Sequence, residues 1–123
     1  MNFRHLFVTL PWPKPILSPN ARGHWREVAR EKARFRESSR LATLLALNRR
    51  RAPATDIQVS LFFAPPNRSA YDQDNLLARL KAGLDGVADA LGVDDSRFRI
   101  SSLEILEPQR LPGVRVHLWT LQT

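Results

Sequence analysis

Cysteine is absent from this 123-residue chain. That removes disulfide frameworks and thiolate metal sites, and it fits a reducing compartment. No apolar run approaches the roughly 20 residues that a membrane span needs, so no membrane partner is expected. The opening Met1-Asn2-Phe3-Arg4-His5 lacks the apolar core and cleavage site of a signal peptide, so the expected location is the cytoplasm. There is no glycine-rich phosphate loop, zinc-ligand pattern or nucleophile elbow. His5, His24 and His117 show no ligand spacing and are expected to be structural or exposed. Acidic residues are scarce as well: 12 against 19 Lys and Arg, for a formal charge of +7. What remains is a composition, 43% hydrophobic and 25% charged, that suits one ordinary globular domain over residues 1–123.

The scarce acids are bunched. Asp72, Asp74, Asp85, Asp89, Asp94 and Asp95 are six of the 12. The cations are bunched elsewhere, because residues 22–51 hold ten basic and three acidic side chains, an excess of seven that equals that of the whole chain. A concentrated basic face suits a polyanionic partner, since each neutralised phosphate releases condensed counterions. The competing reading is a solvated charged helix. An acidic cluster inside a cationic protein has a simple physical reason, divalent metal chemistry on a nucleic-acid backbone.

Residues 3–10 alternate as a strand with Leu6, Val8 and Leu10 on one face, stopped by Pro11-Trp12-Pro13. Residues 24–48 have no Gly or Pro and read as helix. Arg26, Arg30 and Arg34 form one basic row, and Lys32, Arg36 and Arg40 a second. Trp25, Val28 and Phe35 give an apolar face, and Trp25 is expected in the core. Leu41, Leu44 and Leu45 fall on another face, so the stripe slips near Ser38-Ser39 and predicts a kink or two helices. Residues 56–63 alternate cleanly as a strand. Residues 75–91 form a helix with Leu76, Leu77, Leu80, Leu84, Val87, Ala88 and Leu91 inward, Asp74 at its N-terminal cap or first turn, and Gly92 at its C-cap. Arg79, Gly83 and Gly86 are expected to face solvent. Asp74, Ala78, Lys81 and Asp85 share a sector at 100° per residue, so Lys81 can lean toward Asp74. Phe98 to Leu106 changes parity and predicts a bulged strand, and Val114, Val116 and Leu118 mark the last strand. The order is β-α-β-α-β-β: an α/β (α+β) domain of two layers, one mixed four-stranded sheet with two main helices.

Asp-x-Asp in an extended stretch puts both carboxylates on one side. Magnesium needs only two or three carboxylates beside a substrate phosphate and several waters. Asp72, Asp74 and Asp95, with Asp94 as accessory, are candidate ligands, and Lys81 a candidate cation for the phosphate. The plainer alternatives are a helix cap for Asp72-Gln73-Asp74 and a turn for Asp94-Asp95. Arg68 and Tyr71 either contact a nucleotide or pack within their loop.

Asp72-Gln73-Asp74-Asn75-Leu76, then Lys81-x-x-x-Asp85-Gly86, then Gly92-Val93-Asp94-Asp95, resembles the RusA family of Holliday-junction resolvases of the prophage type. Leu10-Pro11-Trp12-Pro13, Pro19-Asn20 and Trp25 are similar to that family's opening. The resemblance implies a homodimeric endonuclease, dependent on magnesium with manganese as a substitute, that nicks four-way DNA junctions symmetrically. It implies Asp72, Asp74 and Asp95 as the metal-binding acids, with Asp94 as an accessory. The family pattern often carries lysine four residues after the second Asp; here Ala78 stands there and lysine follows at Lys81. On a helix, steps of four and seven reach the same face. On this reading Arg26, Arg30, Lys32, Arg34, Arg36 and Arg40 hold phosphates without reading bases. The rival expectations are a junction-binding protein without catalysis, a metal-dependent nuclease on other branched nucleic acid or RNA, and a structural adaptor.

Overall fold

The computed structural model describes residues 1–121. Four strands form one mixed sheet: β1 (His5–Pro11), β2 (Ile57–Ala64), β3 (Phe98–Ile105) and β4 (Gly113–Trp119), in the spatial order β1-β4-β2-β3. β4 is antiparallel to both of its neighbours, and β2 runs parallel to β3. A parallel pair needs a crossover connection, and here it is the helix α2 (Gln73–Leu91). Alternation decides which side of each strand is buried. Leu6, Val8 and Leu10 of β1, Ile57, Val59, Leu61 and Phe63 of β2, and Val114, Val116 and Leu118 of β4 all enter one core. The helices α1 (Trp25–Leu47) and α2 contribute Phe35, Leu76, Leu80, Leu84 and Val87 to the same core. The fold is therefore α+β, with two helices and a four-stranded mixed sheet. The register of β3 shifts between Val59 and Ser60 of its partner, leaving Ser101 as the extra residue, so the parity change in the sequence is a bulge. No helix among the described residues is long and apolar enough to cross a membrane.

The other side of the sheet is polar and aromatic. His117 stacks on Phe7 at 4.3 Å between ring centroids. His5 Nδ1 and His117 Nε2 lie 2.9 Å apart. His24 serves differently, because its Nδ1 accepts from the Arg26 N–H and caps α1.

The caps of α2 follow its sequence. Asp72 is the N-cap and accepts from the Asp74 N–H at 3.1 Å. Asp74 is the first-turn acid, where the helix dipole favours a negative charge. Gly92 ends the helix at φ +67°, a left-handed conformation that glycine adopts without a Cβ clash.

Three expectations about the helices need correction. α1 is one uninterrupted helix, not two. Its buried line runs Phe35, Ser39, Thr43, Leu47, at steps of four, with small polar residues where hydropathy alone would put leucines. Leu41, Leu44 and Leu45 are exposed instead. Trp25 is 69% exposed rather than in the core; it stacks beside His24 and under Arg26. Arg79, Gly83 and Gly86 are buried, not solvent-facing. The reason is that α1 packs against the two glycines, and the Trp12-Pro13 segment covers Arg79. An ideal Cβ on Gly83 would stand 2.7 Å from Phe35 Cε2, and one on Gly86 would collide with the Arg36 carbonyl oxygen. Glycine at 86 lets the two backbones approach, and glycine at 83 leaves room for the Phe35 ring.

Candidate nucleic-acid interface

Several of the candidate residues lie on α2 or in the groove beside it. Ser18 lies in the segment that follows the short 3-10 turn Pro15–Leu17. Asn75 Nδ2 donates to its Oγ at 2.7 Å, tying that segment to the first turn of α2. Beyond this tie a groove of about 360 Å³ opens between the 16–21 segment, α1 and α2. Val28 and Lys32 come to it from α1, and Ala78, Lys81, Ala82 and Asp85 from α2. The row Ala78–Lys81–Asp85 expected from helical periodicity thus faces one groove, and Asp74 begins that row at the N-terminal end.

Lys81 does not lean toward Asp74. Its Nζ donates to Asp95 Oδ2 at 2.9 Å and to Asp85 Oδ1 at 3.1 Å. The hydrogen bond from Lys81 holds the Asp95 carboxyl below its ordinary value of 3.8. Reciprocally, Asp95 and then Asp85 raise the Lys81 ammonium above its own. Asp95 starts a 3-10 turn (Asp95–Arg97) whose N-cap is Asp94, with Asp94 Oδ1 accepting from the Ser96 N–H at 2.8 Å. The chain past Gly92 therefore folds back beside the middle of α2, and Asp95 meets Lys81 and Asp85 there.

Asp72 and Asp74 are elsewhere. Asp74 and Asp85 are eleven positions apart on the helix, about 16 Å along the axis. Among the described residues, no three His, Asp or Glu side chains are placed to share a metal ion. The four acids singled out as ligands form two groups, Asp72 with Asp74 at the start of α2, and Asp94 with Asp95 folded back near Asp85. As one chain places them, they do not fit a single magnesium ion bound by Asp72, Asp74 and Asp95 together. Sequence spacing could bring the second group back to α2, but not choose where along it.

The basic residues divide too. Arg36 makes a two-pronged pair with Asp89 of α2, with Nε 2.6 Å from Oδ2 and Nη2 2.9 Å from Oδ1. Arg40 pairs with Glu37 and Arg34 with Glu31. Arg26, Arg30 and Lys32 carry no ion pair among the described residues. Arg68 pairs with Glu107 at 2.6 Å. Tyr71 packs edge-on against Trp12, and its hydroxyl donates to Asn67 Oδ1 at 2.8 Å. Both are thus held by protein groups near them.

Sequence reading missed Arg79. Its side chain lines the groove beside Ala78 and Lys81 and is only 7% exposed. Neither its residue type nor its place on the helix, among Gly83 and Gly86, marked it as buried.

No family model matches the chain. A protein of Xylella fastidiosa (strain Temecula1 / ATCC 700964), described only as an uncharacterized protein, is 47% identical over 95 residues. That alignment covers 74% of this chain and 61% of the relative, so this chain spans about three-fifths of the relative's length.

Proposed function

We propose that the protein is a structure-selective DNA endonuclease that resolves four-way junctions, as the resemblance to RusA implies. The observation that carries this reading is that Ala78, Lys81 and Asp85 of α2 line a groove to which α1 brings Val28 and Lys32, with Asp95 drawn onto Lys81 beside it and Asp74 beginning the same row at the start of α2. Arg26, Arg30 and Lys32, which have no ion pair among the described residues, supply salt-dependent hold on the phosphate backbone. Selectivity comes from junction shape, and a homodimer matches the two-fold symmetry of a junction and gives one cut on each opposing strand.

One observation favours a second reading, a junction-binding protein without catalysis: Asp95 is engaged by Lys81 and stands apart from Asp72 and Asp74. Incubating a synthetic four-way junction and a linear duplex with the protein, in magnesium and in manganese, separates the two. The endonuclease nicks the junction symmetrically and spares the duplex. Asp74→Asn then loses nicking by about a hundredfold or more while keeping junction affinity, because one fewer negative charge opposes phosphate. Tight junction binding with no nicking in either metal establishes the second reading. Equal affinity for junction and duplex removes both.

A further inference from the structure

Arg79 is a cation without a counter-charge. Its Nε donates to the Pro13 carbonyl at 3.2 Å, and Nη2 donates to the same oxygen. Its guanidinium lies 5.6 Å from the centre of the Trp12 ring. No carboxylate pairs with it among the described residues, and Nη1 makes no hydrogen bond. Ser39 Oγ is the one described side-chain atom that is both sealed and unpartnered, so Nη1 keeps contact with open space. Burial lowers the basicity of the group, with Tyr71 acting in the opposite direction. A guanidinium this far withdrawn from water is costly unless an anion or a full set of acceptors completes it.

The surroundings can seat such an anion. Arg79 lines both the 360 Å³ groove and an adjoining cavity of about 530 Å³, which also share Ile16, Ser18 and Ala21. Lys32 and Lys81 border the first, and Arg22 borders the second. Asp85 and Glu27 are the acids on these walls, two against four cations, and Asp85 already receives Lys81. Lys32 and Arg22 have no ion pair among the described residues. Ser18 Oγ accepts from Asn75 Nδ2 and from the Asn20 N–H, so its own proton remains free to donate outward.

We propose that the cleft between the 16–21 segment, α1 and α2 is a phosphate-binding site, with Arg79 at its buried end and Lys32 and Arg22 at its rims. The planar guanidinium donates in pairs to phosphate oxygens, which a lysine in the same place would not reproduce. The site deepens the proposed function and rests on it for the source of the ligand, a DNA backbone phosphate bent into the cleft. A terminal phosphate offers the same oxygens.

The test replaces chloride by inorganic phosphate at fixed ionic strength and pH and follows the thermal midpoint. The wild-type protein is expected to gain stability with a millimolar midpoint. An Arg22→Ala/Lys32→Ala double variant, altered only at rim side chains, is expected to lose about tenfold or more in phosphate affinity. Arg79→Lys is expected to lose a similar amount; if it fails to fold, the double variant decides alone. An identical phosphate response in wild type and double variant, or no response beyond that to chloride, overturns the proposal. A single-stranded oligonucleotide with and without a 5′-phosphate identifies the source, since preference for the phosphorylated strand marks a terminal phosphate and equal binding marks the backbone. Junction affinity is measured in parallel. A phosphate response with no junction binding keeps the site and removes the function proposed above. Wild-type junction binding by the double variant, with no phosphate response in either protein, removes the site and keeps the function.

Discussion

The two helices bury comparable faces with opposite chemistry. α2 turns a line of leucines into the core, whereas the buried line of α1, which packs against β1 as well as α2, runs Phe35, Ser39, Thr43 and Leu47. Apolar residues on α1 that look fit for a core, Leu41, Leu44 and Leu45, face outward. The difference lies in what each helix packs against. A sheet face presents a broad surface about 10 Å away, and long side chains fill that distance. Where α1 meets Gly83 and Gly86 at close range, the Phe35 ring fills the space over Gly83 and the next buried positions are the small Ser39 and Thr43 rather than leucines. Burial then follows the partner's shape more than the residue's own hydropathy.

The strongest way to break this comparison is Gly86→Ala. One methyl group would enter the space of the Arg36 carbonyl oxygen, which is helix backbone and cannot rotate aside. Overpacking a core costs roughly 1–3 kcal/mol, and a backbone obstacle puts this case at or above the upper end. For a domain of this size the melting midpoint should fall by roughly 10 °C. A midpoint equal to wild type would mean that the helices do not approach at this glycine, and the contrast between the two faces would fall with it.

The same contrast explains what was legible. The strands β1, β2 and β4 could be placed to within a residue or two because period-two alternation and a one-sided core are the same fact. α2 was equally plain, since its leucine stripe, Asp72–Asp74 entry and Gly92 exit agree with one another. The side of α2 that carries Arg79, Gly83 and Gly86 reads as solvent-facing because neither glycine nor arginine signals burial; only the presence of α1 and of the Trp12-Pro13 segment does. At the site, the row from Asp74 to Asp85 followed from helical period alone. The position of Asp95 did not, because it depends on how the few residues after Gly92 turn back, and Lys81 fixes that at Asp85 and not at Asp74.

Charge counting overstated the cationic footprint for a related reason. Of the six α1 cations assigned to DNA, Arg34, Arg36 and Arg40 are already engaged by Glu31, Asp89 and Glu37. A cation that leaves an acid to meet a phosphate gains little, whereas Arg30 and Lys32 have no such partner to leave. Replacing Arg30 and Lys32 together by Ala should flatten the plot of log junction affinity against log salt by about two units, at about 0.9 per phosphate contact. Replacing Arg36 and Arg40 together should change it by less than about one. Equal slopes for the two double variants would show that the seam pairs open on binding, and that the free and engaged sides of α1 do not differ toward DNA.

The smallest expected effect has the opposite sign. Ser39 is fully buried in the α1–α2 seam, and its Oγ has no hydrogen-bond partner. The neighbouring Thr43 is satisfied, donating to the Ser39 carbonyl at 2.7 Å, so the defect belongs to one hydroxyl. A buried hydroxyl without a partner costs on the order of 1–3 kcal/mol, and alanine is the better helix former by a few tenths. Removing Oγ also leaves a gap of less than one methyl group beside Gly83, which returns part of that gain as a cavity cost. Ser39→Ala should therefore raise the melting midpoint by roughly 2–4 °C, while the chemically similar Thr43→Val, which deletes a made hydrogen bond, should lower it. If Ser39→Ala lowers the midpoint instead, the hydroxyl has a partner such as a bound water, and the seam is polar by design rather than merely narrow.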